Sequence, residues 1–142
     1  QPFVLALADN LFIGNSFQKT LKQVQSIKSG AAVLAVKTKY PSKSAVIDHG
    51  KKGKIKSIIE KPKKPKSNLT IPGLYFYDSE SKKVVRKLKP SKRGELEIVD
   101  VHLDYLEKQQ LKVFSLKKDI KWFPINNSII SCQTIEQTSS QQ

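Results

Sequence analysis

Apolar residues come in two kinds of run along this chain, and each kind predicts a different element. Continuous apolar stretches fill residues 3–7 and 31–36. Runs of that length suit strands buried on both faces, as at the centre of a parallel sheet. Between them Phe17, Leu21 and Val24 recur at helical spacing. Asn15 stands where an N-cap belongs, Gln18 follows three residues on, and Ser29 with Gly30 closes the helix. Strand, helix and strand in this order predict a βαβ unit with a right-handed crossover.

Further on, Ala45, Val46 and Ile47 face residues 55–59 across a turn bounded by Gly50 and Gly53, a predicted hairpin. Residues 71–77, rich in aromatics, read as another strand. Ser79 is placed to cap a short helix carrying Val84, Val85 and Leu88, which Pro90 ends. Residues 95–108 predict a longer helix with Leu96, Val99, Leu103 and Leu106 as its apolar stripe. Glu95 and Glu97 sit at its positive end and Lys108 at its negative end. Residues 111–116 read as a last strand, and there is no internal repeat. The expected fold is α/β: a partial doubly wound, mostly parallel sheet with an added β-hairpin. It spans residues 1–125, and the polar stretch 126–142 is expected to fray. In such sheets ligands sit beyond the carboxyl ends of the strands, where Asp9 and Asn10 lie.

Composition narrows the classes. The 142 residues suffice for one domain with a core, and 38% hydrophobic with 27% charged residues excludes wholesale disorder. No apolar run approaches the roughly 18 residues of a membrane span. Residues 1–7 lack the basic start of a secretory signal, and the single Cys132 cannot form an internal disulfide, so a cytoplasmic setting is expected. Cys132 itself reads as a small buried apolar residue. The chain begins at Gln1 and contains no Met, which is compatible with a fragment or a processed chain.

The net charge is +14, and residues 51–66 hold eight lysines against the single acid Glu60. That invites a nucleic-acid reading, but Arg86 and Arg93 are the only arginines, and base and phosphate forks favour arginine. A solvated, lysine-rich hairpin and loop is the plainer account. His49 and His102 have no zinc or triad spacing around them and read as surface or satisfied residues.

Five blocks of sequence, in order, resemble one family. They are Leu7-Ala8-Asp9-Asn10; Glu60-Lys61-Pro62; Ser67-Asn68 with residues 73–78; Leu88-Lys89-Pro90-Ser91 with residues 93–98 and Asp100; and Tyr105-Leu106-Glu107 with Trp122. Together they resemble the glucose-1-phosphate thymidylyltransferases, of the sugar-phosphate nucleotidyltransferase family. The resemblance implies transfer of a thymidylyl group from dTTP to glucose 1-phosphate with release of pyrophosphate, assisted by Mg²⁺. It implies Asp9 as a metal-ligand carboxylate, where a bare Asp-Asn otherwise forms a turn or cap. Glu60 is implied as acceptor of sugar hydroxyls, Lys61 and Arg93 as phosphate contacts, and Ala45, Ile71 and Tyr75 as pocket residues. Each also has a plainer reading: Lys61 as one more solvated lysine, Tyr75 and Ile71 as core, Arg93 as a loop residue.

The sequence departs from the family in four places. The family's glycine-rich nucleotide loop has no counterpart among the six scattered glycines. Pro124 stands at the second metal carboxylate, with Asn126 and Asn127 nearby as neutral oxygens. Ser44-Ala45 replaces a Tyr-Gly pair, and Val99 replaces a threonine. The expectation is therefore a chain inactive or impaired on its own. The alternatives are a non-catalytic relative that binds a sugar phosphate or nucleotide or pairs with an active subunit in an oligomer; a basic nucleic-acid module ranks below both, and an uncovered strand edge makes a homo-oligomer a further expectation.

Overall fold

The computed structural model describes residues 1–50 and 54–125. Gly53, the expected tail 126–142 and Cys132 lie outside the described residues.

The central strand is β3 (Ala31–Lys37), whose first five residues are buried, as the continuous apolar run predicts. On one side β8 (Leu111–Ser115) pairs with it in parallel. On the other side it meets a single stretch of chain that breaks in the middle. β6 (Leu69–Ile71) pairs with the end of β3, and β7 (Leu74–Tyr77) pairs with its beginning, both antiparallel. The break is Pro72-Gly73. Beyond it the two halves take different outer partners. β7 pairs with β1 (Phe3–Ala6), whereas β6 pairs with β4 (Ala45–His49), which pairs with β5 (Ile55–Ile59). Outside this sheet, β2 (Asn10–Ile13) and β9 (Lys121–Pro124) form a separate antiparallel ribbon.

The α/β class holds, but the sheet is mostly antiparallel; among the described strands only β3 and β8 pair in parallel. β1 and β3 run the same way, as the βαβ reading requires, but β7 lies between them. All four β7 residues are buried, so that strand gains more from the interior slot. β1 is left at the sheet edge with every residue exposed, Val4 by 49%. A short apolar run predicts a strand but not its depth. The hairpin of β4 and β5 forms as expected and extends the main sheet, with a bulge between Asp48 and His49.

Helices cover both faces of the sheet. α1 (Phe17–Gln25) packs Leu21 and Val24 over Ala32, Leu34, Leu74 and Phe76. α2 (Ser81–Val85) and α3 (Ile98–Glu107) cover the other face, where Val84, Val99, Val101 and Tyr105 meet Val33, Ile47, Tyr75 and Tyr77. The caps differ from those expected. Ser16, not Asn15, precedes α1, and its N–H donates to the Asp119 carboxylate at 2.8 Å, from far down the chain. That bond, the first cause, holds the Asp119 carboxyl below its ordinary pKa. At α2 the Asp78 carboxylate accepts the Glu80 N–H at 3.0 Å, so Asp78 does the work expected of Ser79. α3 begins three residues later than predicted, because Glu97 is extended, and Leu96 is 59% exposed. The buried stripe runs through Val99, His102 and Tyr105, the same period turned by part of a turn.

Candidate functional site

The break at Pro72-Gly73 creates a fork. One branch of the sheet carries the end of β1, the other the start of β4, and a cleft of about 340 Å³ opens where they part. Ligand clefts favour such points, because diverging strands leave backbone and side chains facing an unfilled gap.

Four segments far apart in sequence bring polar groups to this cleft. The turn after β1 supplies Asp9 and Asn10, and the segment entering β4 supplies Lys43, Ser44 and Ala45. The segment after β5 supplies Glu60 and Lys61, and the approach to α3 supplies Glu97. Ile71 and Tyr75 form the floor, at 3% and 5% exposure. Trp122 and Pro124 of β9 close one side. Six of the seven residues that motif reasoning named, Asp9, Ala45, Glu60, Lys61, Ile71 and Tyr75, thus line one cleft. The seventh, Arg93, does not: its guanidinium pairs with Glu95 at 3.1 Å and Glu97 at 3.5 Å, so it reaches the cleft through Glu97.

Lys61 is held in an unusual way. Its φ is +40°, in the left-handed region that costs a β-carbon-bearing residue about 1–2 kcal/mol. Its N–H donates to the Ser44 carbonyl at 3.2 Å, tying the loop after β5 to the entrance of β4. Such strain persists where the surroundings enforce it, and it clusters at functional sites. Here it aims a lysine into the cleft beside Glu60.

Burial dominates the electrostatics of the cleft, and the neighbouring acids add to it. Burial raises the Glu60 pKa; Lys61 and Arg93 oppose the rise and Glu97 adds to it. The Tyr75 hydroxyl is pushed up to about 12, first by burial and then by the charges of Glu60 and Asp9. At neutral pH Tyr75 is therefore an uncharged hydroxyl that can donate a hydrogen bond.

Sequence reasoning places Asn10 with Asp9 at the ligand end of a strand but gives it no role, and it misses Glu97 as a cleft residue. Asn10 stands next to Asp9 in the same motif. Glu97 lies within the stretch that carries Arg93, and Ser91 Oγ donates to its Oε1 at 2.9 Å. His102 lies outside the cleft, fully buried on the inner face of α3; its Nδ1 is 3.1 Å from the Tyr77 hydroxyl, and Nε2 has no hydrogen-bond partner.

Among the described residues no three His, Cys, Asp or Glu side chains converge as a closed metal cage. Mg²⁺ seldom uses one; it takes one or two carboxylates and completes its shell with phosphate oxygens and water. Asp9 at the cleft rim meets that minimum. Pro124, opposite Asn10 in the β2–β9 pair, brings no anionic oxygen to the position where the resemblance expects the second carboxylate. No described helix is long and apolar enough to cross a membrane.

The chain belongs to the nucleotidyl transferase family, whose model matches residues 1–127. It is 43% identical over 118 residues to the glucose-1-phosphate thymidylyltransferase of Neisseria meningitidis, covering 83% of this chain and 41% of the relative. It is equally 43% identical over 118 residues to that of Mycobacterium tuberculosis, with the same coverage. This chain thus spans about two fifths of the length of the curated relatives it matches. Among solved structures it resembles a Bacillus anthracis protein, assigned as a glucose-1-phosphate thymidylyltransferase and solved with sucrose. The TM-score is 0.80 at 31% identity, over 99% of this chain and 55% of that one. A UDP-glucose pyrophosphorylase complexed with UDP-glucose shares the fold, with a TM-score of 0.79 at 21% identity over 100% of this chain and 57% of that one.

Proposed function

We propose that the cleft is the sugar 1-phosphate side of a nucleotidyl-transfer site, with glucose 1-phosphate as its ligand and dTTP as the nucleotide donor. The observation that carries the reading is the convergence of Asp9, Ala45, Glu60, Lys61, Ile71 and Tyr75 on one cleft at the sheet fork.

In the reaction a phosphate oxygen of the sugar 1-phosphate attacks the α-phosphorus of the triphosphate. The bond from that phosphorus to the bridging β-oxygen breaks, and pyrophosphate leaves with the electron pair. The chain's own groups act on the sugar phosphate. The Lys61 ammonium pairs with the phosphate, Glu60 accepts sugar hydroxyls, and Tyr75 donates from the floor. A divalent cation held by Asp9 and the phosphate oxygens would neutralise charge as it builds. Ala45 is 6% exposed, and its small side chain leaves room for the sugar.

Pro124 favours a second component of the reading: on its own this chain binds the sugar phosphate without turnover. A neutral, hydrogen-bond-poor residue in place of a carboxylate weakens any cation shared with the triphosphate. Calorimetric titration of glucose 1-phosphate and of dTTP, each with and without Mg²⁺, is expected to show sugar-phosphate binding. Pyrophosphate release from samples holding the chain, Mg²⁺ and both substrates together is expected to stay at background. Turnover would refute the second component, and a flat glucose 1-phosphate titration would refute the first.

A further inference from the structure

Asn10 makes more side-chain hydrogen bonds than any other cleft residue among those described. Its Nδ2 donates to Asp9 Oδ1 at 2.7 Å. Its Oδ1 accepts from the Gly73 N–H at 3.0 Å and from the Trp122 indole N–H at 2.6 Å. Both lone pairs of the amide oxygen are thus used, and one amide proton is fixed on the neighbouring carboxylate.

These three partners belong to three parts of the fold. Gly73 is the strand break that opens the cleft. Trp122 lies on the β2–β9 ribbon, which is outside the main sheet. Asp9 lies in the turn between β1 and β2, and Asn10 itself is the first residue of β2. Two-stranded ribbons are marginal alone, so the ribbon's position depends on its tethers. The Asn10 amide ties it directly to the fork. Gly73 is shaped for this contact: a β-carbon there would fall 2.5 Å from Asn10 Nδ2 and 2.8 Å from Leu7 Cβ. The backbone can approach the amide this closely only without a side chain.

We propose that Asn10 is the positioning residue of this cleft, holding the Asp9 carboxylate, the Gly73 backbone and the Trp122 indole in one arrangement before a ligand arrives. For its effect on binding, this rests on the reading of the cleft as a sugar-phosphate site. Its structural half does not. Through its amide oxygen, which has no lone pair left for a ligand, and through the amide proton held by Asp9, Asn10 acts on its partners; the second Nδ2 proton is not used by them. Partners that orient a ligating carboxylate typically contribute about 10–100-fold to affinity.

Trp122 is the single tryptophan, so emission excited selectively over the four tyrosines reports on this site alone. In Asn10→Ala the emission is expected to move to the red as the indole N–H loses its acceptor and turns to water, while circular dichroism stays native. Glucose 1-phosphate affinity, titrated with Mg²⁺ present, is expected to fall at least about tenfold. In an Asp9→Asn background the same alanine substitution is expected to cost at most about twofold, because the carboxylate it orients is already gone. A purely structural role predicts instead that the two losses multiply. Unchanged emission in Asn10→Ala, or losses that multiply, overturns the proposal. If the wild-type chain binds no glucose 1-phosphate, the emission shift still decides the structural half, and the functional reading fails separately. Should Asn10→Ala not fold, Asn10→Asp keeps the accepting oxygen: wild-type emission supports the tether, and a red-shifted emission overturns it.

Discussion

Lys61→Ala is expected to weaken glucose 1-phosphate binding about thirtyfold. Removing one partner of a charged hydrogen bond costs about 2 kcal/mol, and an ammonium beside a phosphate in an open cleft falls in that range. The chain carries so many lysines that a nonspecific effect must be excluded. Lys63→Ala is the control, because Lys63 is exposed and outside the cleft lining; it is expected to change affinity by less than about twofold. Lys61→Gly separates the backbone from the side chain. It loses the ammonium, and so binding, but a glycine accepts a φ of +40° without strain. Its melting temperature is therefore expected to rise while its affinity falls. Calorimetry and thermal melts on the three variants read both outcomes. A Lys61→Ala variant that binds like wild type would remove Lys61 from the site.

The second large effect concerns acid stability. His102 is fully buried on the inner face of α3, against Tyr75 and Tyr77. Burial lowers its pKa from 6.5 to about 4. Below pH 6.5 the unfolded chain takes up a proton that the folded chain refuses. Stability present above that pH is therefore lost as the pH falls toward 4, by about 3 kcal/mol in all. His102→Phe is expected to flatten the dependence across this window, at the expense of the hydrogen bond to the Tyr77 hydroxyl. Asp78 does not confuse the measurement. Burial would raise its pKa, but hydrogen bonds from Tyr105, Gly30, Glu80 and Ser81 prevail and lower it, so its contribution is lost only below the ordinary carboxylate range. Urea unfolding at pH 7 and pH 4.5, for both proteins, gives the comparison. Equal slopes with pH in the two proteins would show that His102 is not the group responsible.

Local pattern carried much of the secondary structure. Residues 31–36, 55–59 and 111–116 were readable as strands because continuous or β-branched apolar runs are a property of the segment itself. Strand partners were not readable, because pairing depends on what competes for each slot. Pattern alone reads 71–77 as one strand; its Pro72-Gly73 break sends β6 to β4 and β7 to β1, and because both halves run opposite to β3, β1 and β4, their place between those strands makes the sheet mostly antiparallel. The β2–β9 ribbon leaves no local signal, since its two halves lie over a hundred residues apart and neither alternates cleanly. For the site the balance is reversed. Composition and periodicity pointed to none of Glu60, Lys61 or Tyr75; the resemblance of short motifs did. What those motifs could not convey was contact: that Asn10 joins Asp9 to Gly73 and Trp122, that Glu97 faces the cleft, and that Arg93 spends its guanidinium on Glu95 and Glu97.

The central claim is where the sugar phosphate binds, and amide chemical-shift mapping of the isotope-labelled chain tests it most directly. Titrating glucose 1-phosphate is expected to move the signals of Asp9, Asn10, Ser44, Lys61, Gly73 and Glu97 together, with one shared affinity. Shifts that instead gather on exposed lysines away from the fork, such as Lys82, Lys83 and Lys112, and never saturate would contradict the account.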